Sequence, residues 1–184
     1  MVAMCAMKEC NLQKIIFLPN ANPPHKDKLG VISEVHRYNM VSLAIKDTPF
    51  FEISDYEMNP FSPSYTINTI RHFKSFYNAE VFFIIGADSL YTLDKWRAYE
   101  DLIKECSFIV ANRNSKYGSD FSEAIRKHIE KGGRIESISM PKIDITSTLI
   151  RDKLQRGEDV SKYVPQSVND YIIKNGLYKS NPED

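Results

Sequence analysis

The sequence predicts an α/β protein whose mostly parallel, doubly wound sheet is covered by helices. Short apolar runs alternate with amphipathic segments of helical period along the chain, an order typical of parallel strands joined by crossover helices. Residues 81–85 (V-F-F-I-I) show no polar alternation, which indicates a strand buried on both faces. Polar clusters follow the predicted strands or open the predicted helices, so we expect one nucleotide-sized cleft at that edge of the sheet.

Composition limits the class of protein before any motif is considered. Lysine and arginine together number 24, as do aspartate and glutamate, so nothing indicates a nucleic-acid or membrane partner. No apolar run approaches the roughly 20 residues that cross a bilayer, and the polar start of the chain predicts no signal peptide. With 184 residues, we expect one domain over residues 1–178 and a short tail over 179–184.

The cysteines Cys5, Cys10 and Cys106 are odd in number and include no C-x-x-C pair. Free buried thiols in a reducing cytosol are therefore expected, and with them a cytoplasmic location. The sequence contains neither G-x-x-x-x-G-K-[ST] nor G-x-G-x-x-G, which argues against P-loop NTPases and Rossmann dehydrogenases.

Five elements are predicted before the apolar run at 81–85. They are a helix over residues 1–12 closed by Asn11, a strand over 14–18, a helix over 33–47, a strand over 50–54, and a helix that starts at Pro63 and Ser64 and ends at Tyr77. The spacing of Ile67, Ile70 and Phe73 places them in the core. Tyr65 and Thr66 fall in the first turn of their helix, where unpaired backbone N–H groups collect.

A proline-rich loop over residues 19–28 lies between the first strand and the next helix. Its prolines fix the backbone and present His25, Lys26 and Lys28, which are able to meet phosphate groups. The same charges are compatible with an ordinary surface loop, and the residues alone leave both interpretations open.

Gly86 ends the apolar run, and Asp88 follows at once. Glycine lets a ligand approach the backbone, and the Asp88 carboxylate is a short acceptor suited to a ribose hydroxyl. An ordinary turn after a strand explains these residues equally well. Trp96, the only tryptophan, is either a core residue or a platform on which a ring stacks, and the residues alone favour the core.

The second half of the chain continues the alternation. The elements are a short helix over 100–106, a strand over 107–111, a polar loop over 114–119, a helix over 121–131 closed by Gly132 and Gly133, a strand over 134–140, and a closing helix with Pro165 near its start and Gly176 after its end. We expect Val168, Tyr171 and Ile172 to be buried in the closing helix.

Thr146, Ser147 and Thr148 gather where a further helix starts, and Arg151 follows one turn later. Hydroxyls, free N–H groups, the positive end of a helix and a guanidinium would converge there, which predicts a phosphate seat. The alternative is a capped surface helix whose arginine is solvated.

Taken in order, these motifs resemble the bacterial nicotinate-nucleotide adenylyltransferases of the nucleotidylyltransferase superfamily. The resemblance extends from about Lys8 to Tyr178 and rests on N-A-N-P-P-H-K (20–26), P-S-Y-T (63–66), I-I-G-A-D-S-L (84–90), K-W (95–96), I-T-S-T-L-I-R (145–151) and N-G-L-Y (175–178). It implies a Rossmann-like nucleotidylyltransferase fold and a reaction of ATP with nicotinate mononucleotide, assisted by Mg²⁺, that gives nicotinate adenine dinucleotide and pyrophosphate. The implied partners are these two nucleotides, and a homo-oligomer is left open.

The resemblance also implies roles for individual residues. Those expected at the nicotinate nucleotide are Tyr65, Thr66, Gly86, Asp88, Lys95 and Trp96. Those expected at ATP are Asp88, Arg113, Thr146, Ser147, Thr148 and Arg151. Those expected to act in catalysis are His25, Lys26 and Arg151. Backbone amides near Thr66 would hold the ring carboxylate, and Trp96 would stack on the pyridine ring, which reverses the preference for a core residue.

The sequence departs from the family at the start of the chain. Members begin with a strand and a loop, G-G-T-F-D-P-x-H-x-G-H, whose two histidines stabilise the transferring phosphate, and none of the four histidines here stands in such a motif. Roughly twenty to twenty-five residues, including a strand in the middle of the sheet, are therefore expected to be missing. We hypothesise a misplaced start codon and an active full-length product. From the chain as written we expect poor folding and little adenylyl transfer.

Two alternative functions remain open. One is a non-catalytic protein that binds the mononucleotide through Thr66 and Trp96 without transferring adenylate. The other is a sibling adenylyltransferase with another acceptor, such as nicotinamide mononucleotide or phosphopantetheine. The P-S-Y-T and K-W motifs favour a pyridine nucleotide, and the preference for the acid over the amide rests on the resemblance alone.

Overall fold

A computed structural model of the chain describes residues 1–21, 32–112, 119–140 and 145–179. Their strands pair in parallel wherever they pair, as the sequence predicts. They belong to two compact units, one formed by Met1–Gln13 and Pro63–Lys142 and the other by Lys14–Ser62 and Ile143–Asp184. The single domain over residues 1–178 and the tail over 179–184 stay predictions, since residues 180–184 lie outside the described part.

Helices and strands alternate in the predicted order. The strands are β1 (Ile15–Phe17), β2 (Phe51–Ile53), β3 (Phe82–Gly86), β4 (Ser107–Asn112) and β5 (Arg134–Ser139). The helices are α1 (Val2–Glu9), α2 (Glu34–Ile45), α3 (Thr66–Tyr77), α4 (Ala87–Leu90), α5 (Tyr99–Glu105), α6 (Ser119–Glu130), α7 (Ser147–Gln155) and α8 (Gln166–Lys174), with a 3₁₀ turn at Leu93–Lys95. The single-turn helix α4 and the 3₁₀ turn are the two described elements that the sequence did not predict. Within the described ranges no helix is long and apolar enough to cross a membrane.

The central strand of the first unit is β4 rather than β3. Its sheet has the order β3–β4–β5, so β4 has a strand on either side, whereas β3 pairs with β4 alone among the described strands. Residues 107–111 of β4 are all buried, but only Ile85 of β3 is. The prediction that residues 81–85 are buried on both faces was therefore wrong, because an apolar run without alternation does not show how completely neighbouring elements cover a strand.

Helix α3 packs its apolar face into the core of this unit, as predicted. Ile67, Ile70 and Phe73 are 3%, 1% and 7% exposed. Ile67 and Ile70 belong to one cluster with Phe108 and Val110 of β4. Burial of side chains of this size stabilises the fold by about 1.5–3 kcal/mol each, so the α3 face and β4 hold the first unit together.

Two asparagines end helices with a left-handed backbone. Asn11 follows α1 with φ 49°, and Asn78 follows α3 with the same φ. Beyond Asn11, the Leu12 N–H donates to the Met7 carbonyl at 3.0 Å, which is the bond of a Schellman closure. The predicted helix ends at Asn11 and Tyr77 are thus confirmed.

The second unit contains a two-stranded parallel sheet, in which Ile15 pairs with Phe51. Its helix α8 buries Val168 and Ile172 as predicted. Tyr171, which was also predicted to be buried, is only half-buried. Its hydroxyl lies 2.9 Å from both His36 Nδ1 and Asn39 Nδ2 on α2, so the polar end of this side chain is hydrogen-bonded within the unit.

The three free cysteines are not all buried, contrary to the prediction. Cys106 is buried, whereas Cys5 and Cys10 are half-buried. Burial raises the pKa of the Cys106 thiol to about 12. The pKa of Cys10 is raised to about 11, first by burial and then by its hydrogen bond to Glu136. Both thiols are therefore protonated and poorly reactive at neutral pH.

The predicted additional strand stays a prediction. Among the described strands, β1 pairs only with β2 and β3 only with β4. Each of these two strands therefore has one edge that no described strand occupies.

Gly133 closes the turn between α6 and β5, where the sequence places two glycines. A Cβ at Gly133 would lie 2.5 Å from Ile103 Cγ1 and 2.8 Å from the His128 carbonyl oxygen. The backbone oxygen cannot yield, so only a residue without a side chain fits at this position. The turn packs directly against the buried face of α5.

We expect Gly133→Ala to lower the free energy of unfolding by about 1–3 kcal/mol, because overpacking at a rigid contact has this cost. Gly86→Ala is the matched control, since a Cβ there has no atom within 4 Å. Urea unfolding followed by circular dichroism measures both. Equal stability of the two variants would contradict the close contact.

Candidate functional site

The predicted site residues are divided between the two units and the part of the chain that is not described. The first unit contains Tyr65, Thr66, Gly86, Asp88, Lys95 and Trp96. The second unit contains Thr146, Ser147, Thr148 and Arg151. His25, Lys26 and Arg113 lie outside the described residues, so each of the two described groups is considered by itself.

The end of β3 presents Gly86 and Asp88 to solvent. Gly86 is exposed, and a Cβ built on it meets no atom within 4 Å. Ala87 is buried in the core of the first unit, while Asp88 lies exposed in the first turn of α4. No described donor bonds to its carboxylate. The backbone here is open to a ligand, and the Asp88 carboxylate is available to accept hydrogen bonds from it.

Trp96 packs on the core and is also partly accessible, so its position is compatible with both of the predicted alternatives. It packs against the core cluster of the first unit, with its ring edge-on to Phe83 at 6.1 Å between centroids. The side chain is nevertheless only half-buried. Trp96 is therefore anchored by the core and keeps part of its surface accessible, as a stacking platform requires.

The start of α3 carries unsatisfied backbone donors. Tyr65 is the N-cap residue and makes no side-chain capping bond. Its carbonyl accepts from the N–H groups of Asn68 and Thr69 at 2.9 and 3.3 Å. Helix geometry leaves the N–H groups of Thr66 and Ile67 without an acceptor inside the helix. Thr66 is thus in the first turn, as predicted, and Tyr65 lies one residue before it.

Arg97 is a residue that the sequence analysis missed. Its Cζ lies 5.0 Å from the centroid of the Tyr65 ring, within the range of a cation–π interaction. The next residue, Ala98, has a left-handed backbone with φ 53°. Such a conformation costs a non-glycine residue roughly 1–2 kcal/mol. The only sequence signal was the position of Arg97 directly after Trp96.

A buried histidine holds the chain that runs from Leu90 to Tyr99. His128 of α6 is 1% exposed. Its Nε2 lies 3.0 Å from the Leu90 carbonyl and its Nδ1 lies 2.7 Å from the Tyr99 hydroxyl. Nε2–H therefore donates to Leu90, and Nδ1 accepts from Tyr99. Burial raises the pKa of Tyr99, and the charges of Glu100 and Asp94 raise it further. The Tyr99 hydroxyl therefore keeps the proton that it donates to His128.

An ion pair attaches the 3₁₀ turn of the same segment to α6. Lys127 Nζ lies 2.6 Å from Asp94 Oδ2. The hydrogen bond from Lys127 is the largest cause that lowers the pKa of Asp94. The turn bears Lys95 and leads directly to Trp96, so this pair helps to fix both residues.

Helix α7 starts where the sequence predicts. Thr146 is its N-cap, and the Thr146 hydroxyl accepts from the Leu149 N–H at 3.0 Å. Arg151 Nη2 lies 3.4 Å from Thr148 Oγ1. Thr146, Ser147, Thr148 and Arg151 are all exposed. The geometry is that of a capped helix, and its exposed hydroxyls and guanidinium are able to meet phosphate oxygens.

A second arginine accompanies Arg151 in the same unit. Burial raises the pKa of Tyr178, and the charges of Arg151 and then Arg37 oppose that rise. Both guanidinium groups therefore act on the hydroxyl of Tyr178. Among the described residues, neither arginine has a carboxylate within 4.0 Å. Their charges are available to an anionic ligand.

The described residues contain no cluster of three or more histidine, cysteine, aspartate or glutamate side chains that could hold a metal ion. Mg²⁺ commonly binds through one or two carboxylates together with the phosphates of a nucleotide, rather than in a cage built entirely by the protein.

Comparison with known proteins gives the family. The model of the cytidylyltransferase-like family matches residues 1–153. A relative from Clostridium tetani is 36% identical over 181 residues, which cover 97% of this chain and 90% of the relative. One from Clostridium acetobutylicum is 39% identical over 96% of this chain and 90% of its own length. Both are described as probable nicotinate-nucleotide adenylyltransferases.

Solved structures give the same fold. The nicotinic acid mononucleotide adenylyltransferase of Plasmodium falciparum, complexed with NaAD, is similar with a TM-score of 0.72. The alignment covers 96% of this chain and 89% of that protein, at 22% identity. The same enzyme complexed with APC gives a TM-score of 0.70. The likeness supports the nucleotidyltransferase fold predicted from the sequence.

We expect Asp94→Asn to lower the free energy of unfolding at neutral pH by about 0.2–1 kcal/mol, the range of solvent-exposed ion pairs. Because the folded-state pKa of Asp94 is lowered, its contribution is present above the ordinary pKa of about 4 and is lost as the pH falls through the folded-state pKa. The difference between the variant and the unsubstituted chain should therefore disappear in acid.

Unfolding in urea across this pH range measures the effect. Glu123→Gln is the control, because its pair with Arg126 is longer, at 3.9 Å, and highly exposed. A stability difference for Asp94→Asn that persists unchanged in acid would show that the ion pair is not its cause.

Proposed function

Because the chain belongs to the cytidylyltransferase-like family and, within it, to the nicotinate-nucleotide adenylyltransferases, we propose that it transfers the adenylyl group of ATP to nicotinate mononucleotide. The products are nicotinate adenine dinucleotide and pyrophosphate, a step of NAD biosynthesis. The observation that carries this proposal is the 36–39% identity to relatives of that description over nearly the whole chain. The predicted cytoplasmic location stays a prediction.

The first unit would bind the mononucleotide. The pyridine ring stacks on the accessible part of Trp96, and its carboxylate meets the free N–H groups at the start of α3, near Thr66. Asp88 accepts from a ribose hydroxyl, for which the open backbone at Gly86 leaves room. Lys95 supplies a positive charge. The common attachment of Tyr65 and Trp96 to one core cluster supports this assignment.

The start of α7 would bind the triphosphate of ATP. The hydroxyls of Thr146, Ser147 and Thr148 and the guanidinium of Arg151 donate to its oxygens, and the positive end of the helix adds to the attraction. The proposal also places His25 and Lys26 near the phosphates and Arg113 beside the adenine. These three residues lie outside the described part of the chain.

The proposed chemistry is a direct displacement at phosphorus. An oxygen of the 5′-phosphate of nicotinate mononucleotide attacks the α-phosphorus of ATP, and the bond from that phosphorus to the bridging oxygen breaks. Pyrophosphate leaves with the bonding electrons, and no covalent enzyme intermediate forms. The protein then contributes mainly by positioning the two nucleotides and stabilising charge, to which Arg151 is suited. Mg²⁺ would enter with ATP, where it neutralises phosphate charge.

A second candidate function is a mononucleotide-binding protein without transferase activity. The sequence has four histidines, and none of them stands in an H-x-G-H motif. Binding of the mononucleotide alone and binding followed by adenylyl transfer are the two cases to distinguish.

A coupled pyrophosphate-release assay with ATP, Mg²⁺ and nicotinate mononucleotide tests the proposal, with chromatography to identify the dinucleotide. Nicotinamide mononucleotide is assayed in parallel. We expect equal amounts of pyrophosphate and nicotinate adenine dinucleotide, with the acid form preferred. Binding of the mononucleotide without either product would favour the second candidate, and neither binding nor product would overturn both.

We expect Arg151→Gln to lower kcat/KM for ATP by at least about tenfold, because a charge-assisted contact to the triphosphate is lost. Arg156→Gln is the matched control, since Arg156 lies at the other end of α7 and pairs with Glu158 at 2.9 Å. Steady-state kinetics with varied ATP measures both. Equal effects of the two substitutions would argue against a phosphate seat at the start of α7.

A further inference from the structure

We propose that the guanidinium of Arg97 selects nicotinate mononucleotide over its amide counterpart by pairing with the ring carboxylate. This inference rests on the proposed function, because it names a specificity-determining residue for the mononucleotide end of that reaction. It goes beyond the roles assigned to Tyr65, Thr66 and Trp96, none of which bears a charge.

The position of Arg97 suits such a role. It directly follows Trp96, the proposed stacking platform, and its Cζ lies 5.0 Å from the centroid of the Tyr65 ring. Tyr65 in turn immediately precedes Thr66, whose backbone N–H is free within its helix. The Arg97 guanidinium therefore lies over the ring of the residue that caps α3, next to the N–H groups at the start of that helix, although the side chain as a whole is exposed.

The charge of Arg97 is not used by a described partner. Among the described residues no carboxylate lies within 4.0 Å of its guanidinium, and the first turn of α3 contains no acidic residue. Arg71 of the same unit is a contrasting case, since its guanidinium binds Glu105 at 2.6 Å and Asp101 at 3.1 Å. A guanidinium held on an aromatic ring and left without a carboxylate is suited to receive one from a ligand.

The chemistry of the two ring substituents explains the discrimination. A guanidinium has five N–H donors and no acceptor. A carboxylate offers it two acceptor oxygens and a negative charge, which permits a bidentate pair. A carboxamide of nearly the same shape offers one acceptor oxygen, and its NH₂ group points donors at donors. The amide therefore loses one of two hydrogen bonds and the charge attraction, while stacking on Trp96 is unchanged.

The single tryptophan makes the test direct. Because Trp96 is the only one in the chain, quenching of tryptophan fluorescence reports a ligand beside Arg97 whether or not adenylyl transfer follows. We would titrate nicotinate mononucleotide and nicotinamide mononucleotide into the full chain and into Arg97→Gln. The unsubstituted chain should bind the acid at least about tenfold more tightly than the amide.

In Arg97→Gln, we expect the affinity for the acid to fall about tenfold or more, with the affinity for the amide changed by less than about twofold. Arg97→Lys keeps the charge without the planar fork, so it should restore part of the preference. Arg126→Gln is the matched control for the loss of one surface charge, since Arg126 lies on α6 and its ion pairs among the described residues, at 3.7 and 3.9 Å, are exposed. Circular dichroism and urea unfolding verify that each variant is folded.

The outcomes separate this inference from the proposed function. If Arg97→Gln weakens both mononucleotides equally, or neither, the inference is overturned even where the chain forms nicotinate adenine dinucleotide. If the chain binds the acid selectively through Arg97 but forms no dinucleotide, the inference stands and the transferase proposal fails. If the unsubstituted chain binds neither mononucleotide, both are overturned.

Discussion

The parallel pairing of β3 with β4 is the interaction on which the candidate mononucleotide site depends. Its register sets Gly86 opposite Ala111, so β3 ends at a fixed place against the buried central strand. Leu90 and Leu93, in the segment that follows β3, are fully buried. Because these apolar side chains hold the segment from the inside, its polar and aromatic side chains are left at the surface. Burial of these two leucines thus decides which side chains of the segment lie at the surface.

Polar contacts from α6 also hold the segment that follows β3. His128 uses both ring nitrogens to hold Leu90 and Tyr99, and Lys127 holds Asp94. Each contact starts from α6, and together they reach α4, the 3₁₀ turn and the start of α5. A buried imidazole left without partners would destabilise the fold by about 1–3 kcal/mol. Its complete satisfaction therefore stabilises the unit and also orients the chain that carries Lys95 and Trp96.

The balanced charge of the whole chain conceals local differences that bear on function. Several basic side chains of the described part are paired, as Arg71 is with Glu105. Arg97 lies against Tyr65 instead, and Arg37 and Arg151 act on Tyr178, in each case without a carboxylate within 4.0 Å among the described residues. Each unit thus presents guanidinium charge beside a tyrosine. The proposed substrates are both anionic, so available cations of this kind are what their binding requires.

The amino-acid sequence was enough to predict the class of fold, the order of most elements and helix ends such as Asn11 and Tyr77, because apolar periodicity and capping residues act locally. It also identified the family, since short motifs keep their residue types. The central position of β4, the partial exposure of Trp96 and the contact of Arg97 with Tyr65 became known from the structure. These depend on contacts between residues distant in the chain, such as Tyr65 and Arg97, which no local pattern encodes.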